Sequence, residues 1–411
     1  MTAEKLAIEG GPKAKKTPFG TGMRFGDGEL ALLKEALAQN TLFYYKGQKV
    51  KAFTEKFAQM HGFKHCVATN SGTASIHTAL SALGITLGDE VIVTSLTDMG
   101  SVIGILFQNA IPVFADIHPR NFNIDPACVE KAVTNRTKAI IAVHLFGGSC
   151  DIDALLAISR KHRIPLIEDC AQAFGAKYRG KPVGSFGAFG CFSTNDFKHL
   201  STGDGGLVVT SDDRLAKLAF EVADKNYCRT GASPFDRSPK FLAPNYRMTE
   251  LQGAVGLAQL SKLDGICKRR NELGQKLCGL LQGIPGVVPY EEPANGFCSF
   301  LHFSGRLDLG ALRVDRKTFL DALNAEGVAA TQYIPEPVYR YPLFRTRTIY
   351  QNTHFPLEGT GKSYTYEKGL CPVTEEVIDT IFMLPHSEFF TDRDIEETAI
   401  AFRKVAEAYA K

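Results

Sequence analysis

Gly187-Ala188-Phe189-Gly190-Cys191-Phe192-Ser193-Thr194-Asn195-Asp196-Phe197-Lys198-His199-Leu200-Ser201-Thr202-Gly203-Asp204-Gly205-Gly206-Leu207-Val208-Val209-Thr210 reads as two short apolar strands, around residues 190 and 207, with no helix between them. One lysine, Lys198, stands just past the first strand between two glycine-rich turns. Most lysines are solvated surface residues. A lysine set in so stiff a frame is instead a candidate for amine chemistry, provided that other parts of the chain supply partners for it.

Upstream, residues 50–210 alternate strand and helix patterns. Strands are predicted at 63–69, 90–94, 112–116, 138–144 and 165–169. Helices are predicted at 75–83, 101–109, 125–133 and 153–162 from apolar residues at helical spacing. The strands are apolar nearly throughout, as parallel strands covered on both faces are. Ala176–Lys181 reads as a hairpin turn. The strands at 190 and 207 then make the sheet mixed, with about seven strands. Helices follow at 213–226 and 248–269, separated by a loop over Ser233–Lys240. From about 285 short strands and helices mix, ending in a helix over 392–410. The predicted organisation is a large domain over 15–260, a smaller α+β domain over 261–411 and an N-terminal arm over 1–14.

Composition narrows the function classes. Among 411 residues, 47 basic side chains nearly balance 44 acidic ones, and charged residues make up 22%. That balance gives no argument for nucleic acid or for a membrane surface as a partner. Lys13, Lys15 and Lys16 read as part of a solvated tail. The opening Met1–Lys5 lacks the apolar core of a signal peptide, and no stretch reaches membrane-span length. None of the ten cysteines forms a C-x-x-C pair, and Cys66, Cys170 and Cys191 lie in apolar runs as small buried side chains. A reducing cytoplasm is the expected location.

In a sheet of this kind, ligands gather at the carboxyl ends of the strands. Asn70-Ser71-Gly72-Thr73-Ala74-Ser75 is a strand-to-helix turn whose free N–H groups and hydroxyls suit a phosphate. Ser71 or Thr73 could equally be an ordinary helix cap. Glu168-Asp169-Cys170-Ala171-Gln172-Ala173 places carboxylates at the end of an apolar strand, without the His or Cys spacing of a metal site. A phosphate cradle, a buried acid and a lysine together serve pyridoxal phosphate chemistry. The lysine condenses with the aldehyde, the acid pairs with the pyridine nitrogen and the cradle holds the phosphate. To attack, the amine must be neutral, which desolvation favours.

These segments, together with Gly88-Asp89-Glu90-Val91-Ile92-Val93, Val143-His144-Leu145-Phe146-Gly147, Tyr333–Pro335 and Leu384-Pro385-His386, resemble the DegT/DnrJ/EryC1/StrS aminotransferases, fold-type-I pyridoxal phosphate enzymes of sugar and aminocyclitol biosynthesis. The resemblance runs in order from about Gly47 to Leu257. It implies that Lys198 carries the cofactor and shuttles a proton, that Asp169 pairs with the ring nitrogen and that Gln172 contacts the ring. It implies a phosphate held by Gly72, Thr73 and Ser193. Asn245 would reach the phosphate of a neighbouring subunit, hence a homodimer with shared sites. Tyr44, Arg229 and Tyr333 would touch substrate or amino donor. Read from the residues alone, Asn245 could instead cap the helix near Met248, and Tyr44 and Tyr45 could be interface packing. His144 and His199 read as structural.

Three positions depart from the family pattern. Asp98 stands where many members stack an aromatic on the ring, which leaves it free to touch substrate or shape its loop. Asp204 replaces a glutamate, and Glu336-Pro337 replaces the late histidine motif. The implied activity is transfer of an amino group from glutamate or glutamine to a ketone of a nucleotide-linked sugar or a cyclitol, in two half-reactions. The opening Leu6–Gly11 resembles the aminocyclitol and aminohydroxybenzoate branches. A dehydratase of the same fold would carry histidine in place of Lys198. A non-catalytic cofactor-binding regulator would not need Lys198, Asp169 and Ser193 together. A nucleotide-binding dehydrogenase would show an early G-x-G-x-x-G, which is absent.

Overall fold

The computed structural model of the chain describes residues 4–227, 229, 237–346 and 348–411. Of the loop predicted over Ser233–Lys240, residues 233–236 lie outside these. The central sheet has seven strands: β1 His65–Thr69, β2 Glu90–Thr94, β3 Ile111–Ala115, β4 Thr137–Val143, β5 Leu166–Asp169, β6 Phe189–Ser193 and β7 Gly206–Thr210. Their spatial order is β1-β7-β6-β5-β4-β2-β3. Neighbours are parallel except β7, which runs antiparallel to both β1 and β6. The mixed, mostly parallel α/β architecture expected from the sequence is therefore the one observed.

Helices α1 Asp27–Ala38, α2 Lys49–His61, α3 Gly72–Ala82, α4 Gly100–Phe107, α5 Pro126–Ala132, α6 Ile152–His162, α7 Asp213–Ala223 and α8 Glu250–Leu281 accompany the sheet. Strands β2, β5, β6 and β7 are buried at every position, which explains why their sequences run apolar without alternation. On one face Ile76, Leu80, Val93 and Val102 pack into a cluster with Ile141 and Val208; on the other Phe53, Phe57, Phe174 and Phe192 pack against Leu263.

The helix α3 begins at Gly72 rather than Ser75, and two predicted helix C-termini move by three residues or more. The first, α7, stops at Ala223 rather than Asn226: Asp224 leaves the helix to meet three side chains, and Lys225 and Asn226 take left-handed backbone angles (φ 61° and 54°). The second, α8, continues past Arg269 to Leu281. Gly274 does not end it; a Cβ there would lie 2.5 Å from the Phe300 ring, so the glycine marks a close contact.

After α8 a three-stranded antiparallel sheet forms from β8 Val287–Pro289, β9 His302–Leu307 and β10 Ile381–Pro385. Helices α9 Arg316–Ala325, α10 Pro372–Thr380 and α11 Asp392–Tyr409 pack with it, burying Phe319, Phe382 and Phe402. The N-terminal segment lies across this region, and here the solvated-tail reading of Lys15 is overturned. Lys15 is 4% exposed. Its Nζ stands 2.6 Å from Asp394 and 3.8 Å from Glu397 and sits 4.0 Å over the Phe19 ring. Glu326 accepts the Ala7 and Ala14 amides at 2.8 and 2.7 Å. The nine described cysteines are free thiols. Among the described residues no helix is long and apolar enough to cross a membrane.

Candidate active site

The site forms where the carboxyl ends of β1, β5 and β6 meet. Gly206 pairs with both Thr69 and Ser193, so β7 brings the turn after β1 beside the end of β6. Only glycine fits at two of these contacts. A Cβ on Gly206 would lie 2.3 Å from the Ser71 carbonyl oxygen, and one on Gly72 would lie 2.6 Å from Cβ of Ser193. Ser71 is the cap of α3, accepting from the Ala74 amide at 3.0 Å. This confirms the capping alternative for Ser71 and leaves the Gly72 and Thr73 amides, in the first turn, without an intrahelical acceptor. Their donors, the Thr73 hydroxyl and the Ser193 hydroxyl form the kind of concavity that binds an anion.

Asp169 ends β5 and is 3% exposed. Ser101, on the first turn of α4, donates to its Oδ2 at 2.7 Å, and the Ala171 amide to its Oδ1 at 3.0 Å. Ser101 is paired in turn with the Thr97 hydroxyl at 2.7 Å. Burial pushes the Asp169 carboxyl above its ordinary pKa; the Ser101 and Ala171 hydrogen bonds and the charge of Lys198 act against that rise. Lys198 is half-buried. Its amine is held below the ordinary lysine range by desolvation, against which Asp169 and Asp98 pull upward. A lowered amine and a buried acid in one cleft are the electrostatic pattern of a functional site.

One cavity of about 360 Å³ is lined by Gly72, Thr73, Asp98, Asp169, Gln172, Ser193 and Lys198 together with Ser71, Thr97, Ser101, Asn195 and Asp204. Seven residues singled out from the sequence thus share it. Tyr333 joins them from behind: its hydroxyl accepts from Gln172 Nε2 at 3.0 Å, while Gln172 Oε1 accepts from the Phe146 amide at 2.9 Å. Asp98 stays exposed in the cavity, its Oδ1 accepting from the Gly100 amide at 2.7 Å. The residues fit pyridoxal phosphate: donors for a phosphate, a buried acid for a ring nitrogen and an amine of lowered basicity for an aldehyde. Cavity size does not pick out this place, since a larger depression of about 770 Å³ opens around Asp89, Lys138 and Arg163 and holds none of these residues.

Tyr44, Arg229 and Asn245 lie elsewhere, grouped around Asp224. Asp224 Oδ2 accepts from the Tyr44 hydroxyl and from Arg229 Nε, each at 2.6 Å, and Oδ1 from Arg247 at 2.7 Å. These donors outweigh burial and hold Asp224 below the usual carboxylate range. Asn245 is bridged to Asp224 through the backbone and is itself exposed. It does not cap α8; Thr249 does, in a reciprocal box with Gln252. Sequence reasoning missed Ser101, Asp224 and Arg247. The hydroxyls of Thr97 and Ser101, four residues apart across the turn that leads into α4, could have pointed to the first.

His144, Glu168 and Cys170 also converge, within 4.8 Å of one another. Their ligand atoms are already engaged. Glu168 accepts from the Gly184, Phe186 and Gly187 amides, each at 2.7 Å, and from His144 Nε2 at 3.1 Å. His144 Nδ1 takes the Cys150 amide at 3.0 Å, and burial pushes the Cys170 thiol up to about 12. This cluster anchors the loop before β6, and His144 is structural. His199 is fully buried and held neutral by that burial, with Nε2 donating to the Ser299 carbonyl at 3.0 Å.

Comparison with known proteins bears on the chemistry. The L-glutamine:2-deoxy-scyllo-inosose aminotransferase of Micromonospora echinospora is 34% identical over 419 residues, which cover 97% of each chain. The GDP-perosamine synthase of Caulobacter vibrioides is 44% identical over 222 residues, 53% of this chain and 58% of that one. The solved structure of 3-amino-5-hydroxybenzoic acid synthase superposes with a TM-score of 0.84 at 29% identity, covering 96% of this chain and all of that one (100%). The statistical description of the DegT/DnrJ/EryC1/StrS aminotransferases matches residues 25–403, and the chain belongs to that family.

Proposed function

We propose that this pyridoxal phosphate aminotransferase moves an amino group from glutamine or glutamate to a ring ketone of a cyclitol or a nucleotide-linked sugar. The observation that carries the reading is one cavity shared by Lys198, Asp169 and the glycine-opened turn at Gly72. When bound, the cofactor supplies an aldehyde that takes up amino groups and a ring that withdraws electrons.

The chain's own residues do the rest. Nζ of Lys198 links to the cofactor and later moves the proton to and from the substrate carbon; its lowered basicity keeps a neutral fraction available. Asp169 holds a proton at the ring nitrogen. The Gly72 and Thr73 amides and the Ser193 hydroxyl hold the phosphate. Gln172, its orientation fixed by Tyr333 and Phe146, would contact the ring. Asp98, Asp204 and Asn195 give the cavity polar walls, suited to a substrate rich in hydroxyls. The full-length similarity to an inosose aminotransferase tilts the acceptor toward cyclitols. Tyr44, Arg229 and Asn245 complete the site of a second copy in a cytoplasmic homodimer. The Asp224 network that holds Tyr44 and Arg229, with Asn245 exposed beside it, supports this. The division into units 15–260 and 261–411 belongs to the same proposal, supported by the second sheet.

Borohydride reduction of the holoenzyme followed by peptide mapping should place the cofactor on Lys198. A panel of keto-inositols and keto-sugar nucleotides should then accept the amine, with glutamine or glutamate as donor. A label on another lysine, or failure of every acceptor in the panel, refutes the proposal.

A further inference from the structure

Two carbonyl groups of the lysine turn, those of Asp196 and Lys198, share one donor side chain, Arg24. Lys198 N–H is tied back to the Asn195 carbonyl at 2.9 Å. The turn's side chains are tied as well: Asn195 donates to Asp204 at 3.0 Å, and Ser201 to Asp196 at 3.0 Å. The backbone carbonyls of Asp196 and Lys198 take no donor from this network. Among the described residues both accept only from the guanidinium of Arg24, one from Nη1 and the other from Nη2.

Arg24 is itself fixed from behind. Its own carbonyl accepts from Lys262 Nζ at 2.9 Å and from Gln259 Nε2 at 3.1 Å, both on α8. The same two side chains hold Glu29 at 2.6 and 2.7 Å, and Glu29 is 3% exposed. The result is a bracket: α8 holds the Arg24 backbone, and the Arg24 guanidinium lies against both carbonyls of the turn. A planar fork with parallel donors suits two acceptors in a way that a lysine ammonium does not.

We propose that Arg24 is a positioning residue for Lys198. By holding the carbonyl side of residue 198 while Asn195 holds the amide side, it fixes where the Lys198 amine stands over the cavity. This rests on the reading of Lys198 as the cofactor's lysine. The N-terminal segment does not need Arg24 to stay docked, because Glu326, Asp394 and Glu397 fasten it at Ala7, Ala14, Lys15, Thr17 and Gly20. Loss of the fork therefore frees the lysine without undocking the segment. Proton transfer is sensitive to such freedom, a misplacement of about 1 Å costing on the order of 10²-fold.

The test uses holoenzyme of wild type, Arg24→Met and Arg24→Lys at equal cofactor occupancy. In R24M the donor half-reaction should lose about 10- to 100-fold in kcat with the donor KM unchanged, and the isotope effect with α-deuterated donor should rise. The visible circular dichroism of the bound cofactor in resting R24M should change, and R24K should fall between the two. Unchanged kcat and dichroism in R24M, with only a lowered melting temperature, overturn the proposal and make Arg24 a strap. Cofactor trapped on another lysine in the wild-type protein overturns the underlying reading instead, whatever R24M does.

Discussion

Replacing Ser101 by alanine tests whether Asp169 works as a charged group. The Ser101 hydroxyl lies 2.7 Å from Asp169 Oδ2, with both residues 3% exposed, so bulk water has little access to the bond. A hydrogen bond to a charged acceptor contributes about 1.5–3 kcal/mol. Burial already pushes Asp169 toward its neutral form, and S101A removes the side-chain donor opposing it. If the ionised carboxylate holds the protonated ring nitrogen, S101A should weaken cofactor binding and slow the donor half-reaction. The expected factor is about 10- to 150-fold, at roughly 1.4 kcal/mol per tenfold. The sign of the pH dependence follows. Asp169 has a raised pKa, so lowering the pH protonates it in both proteins and removes the charge that Ser101 serves. The gap between wild type and S101A should therefore narrow toward acid. Thr97→Val, which deletes the partner hydroxyl of Ser101 but leaves the bond to Asp169, should cost much less. The assay is cofactor dissociation by fluorescence, plus single-turnover kinetics from pH 5 to 9. An S101A protein with wild-type cofactor affinity, or a gap that widens in acid, would refute the charged-carboxylate argument.

Other perturbations reach different parts of the molecule. Lys15→Met leaves the buried Asp394 carboxylate short of its cation, a loss of about 3–5 kcal/mol; over 411 residues that is about 4–6 °C in melting temperature. Burial alone would raise the Asp394 and Glu397 pKa values, but for Asp394 the hydrogen bonds from Lys15, Thr391 and Gly20, and for Glu397 those from Thr17, Arg393 and Lys16, bring them down to about 2. Their stabilisation is full above the unfolded carboxylate range and lost as the pH falls toward 2, so urea titrations should show the K15M deficit shrinking in acid; a constant deficit would contradict the pairing. Gly72→Ala forces a Cβ to within 2.6 Å of Ser193, which should cost about 1–3 kcal/mol of stability and lower cofactor affinity in an equilibrium titration; intact affinity would argue against the cradle. Asp224→Ala strands Arg229, whose side chain is 4% exposed, and should lose about 3–5 kcal/mol by urea denaturation, with wild-type stability as the contrary result.

The strand ends were legible because parallel strands gather chemistry at one edge. Asn70–Ser75, Glu168–Gln172 and Ser193–Lys198 lie far apart in the chain, yet the alternating pattern alone brings them together. What could not be read depended on contacts between distant segments. Lys15 looks solvated until Asp394, 379 positions away, is seen beside it. Asp224 continues a helical pattern, but the demands of Tyr44, Arg229 and Arg247 pull it out of α7. Gly274 weakens the helical pattern of α8, although the missing side chain is the space that Phe300 fills. In each case a tertiary partner overrode a local preference.

Strand β7 runs against its neighbours, with Gly206 paired to Ser193. The turn carrying Lys198 is therefore a closed hairpin, with both stems already joined in the sheet. A crossover loop in a parallel sheet carries a helix, so altering it disturbs packing on a whole face. The 194–205 hairpin carries no helix, and its packing is confined to Thr194 and His199–Thr202, which are buried, with His199 bonded to the Ser299 carbonyl. Its exposed positions Phe197 and Asp204 line the cavity and can be exchanged, and the reaction changed with them, while every strand keeps its register. The exposed tip of this hairpin, beside the chemistry, is thus the place that natural variation or protein engineering can rewrite at least expense to the architecture.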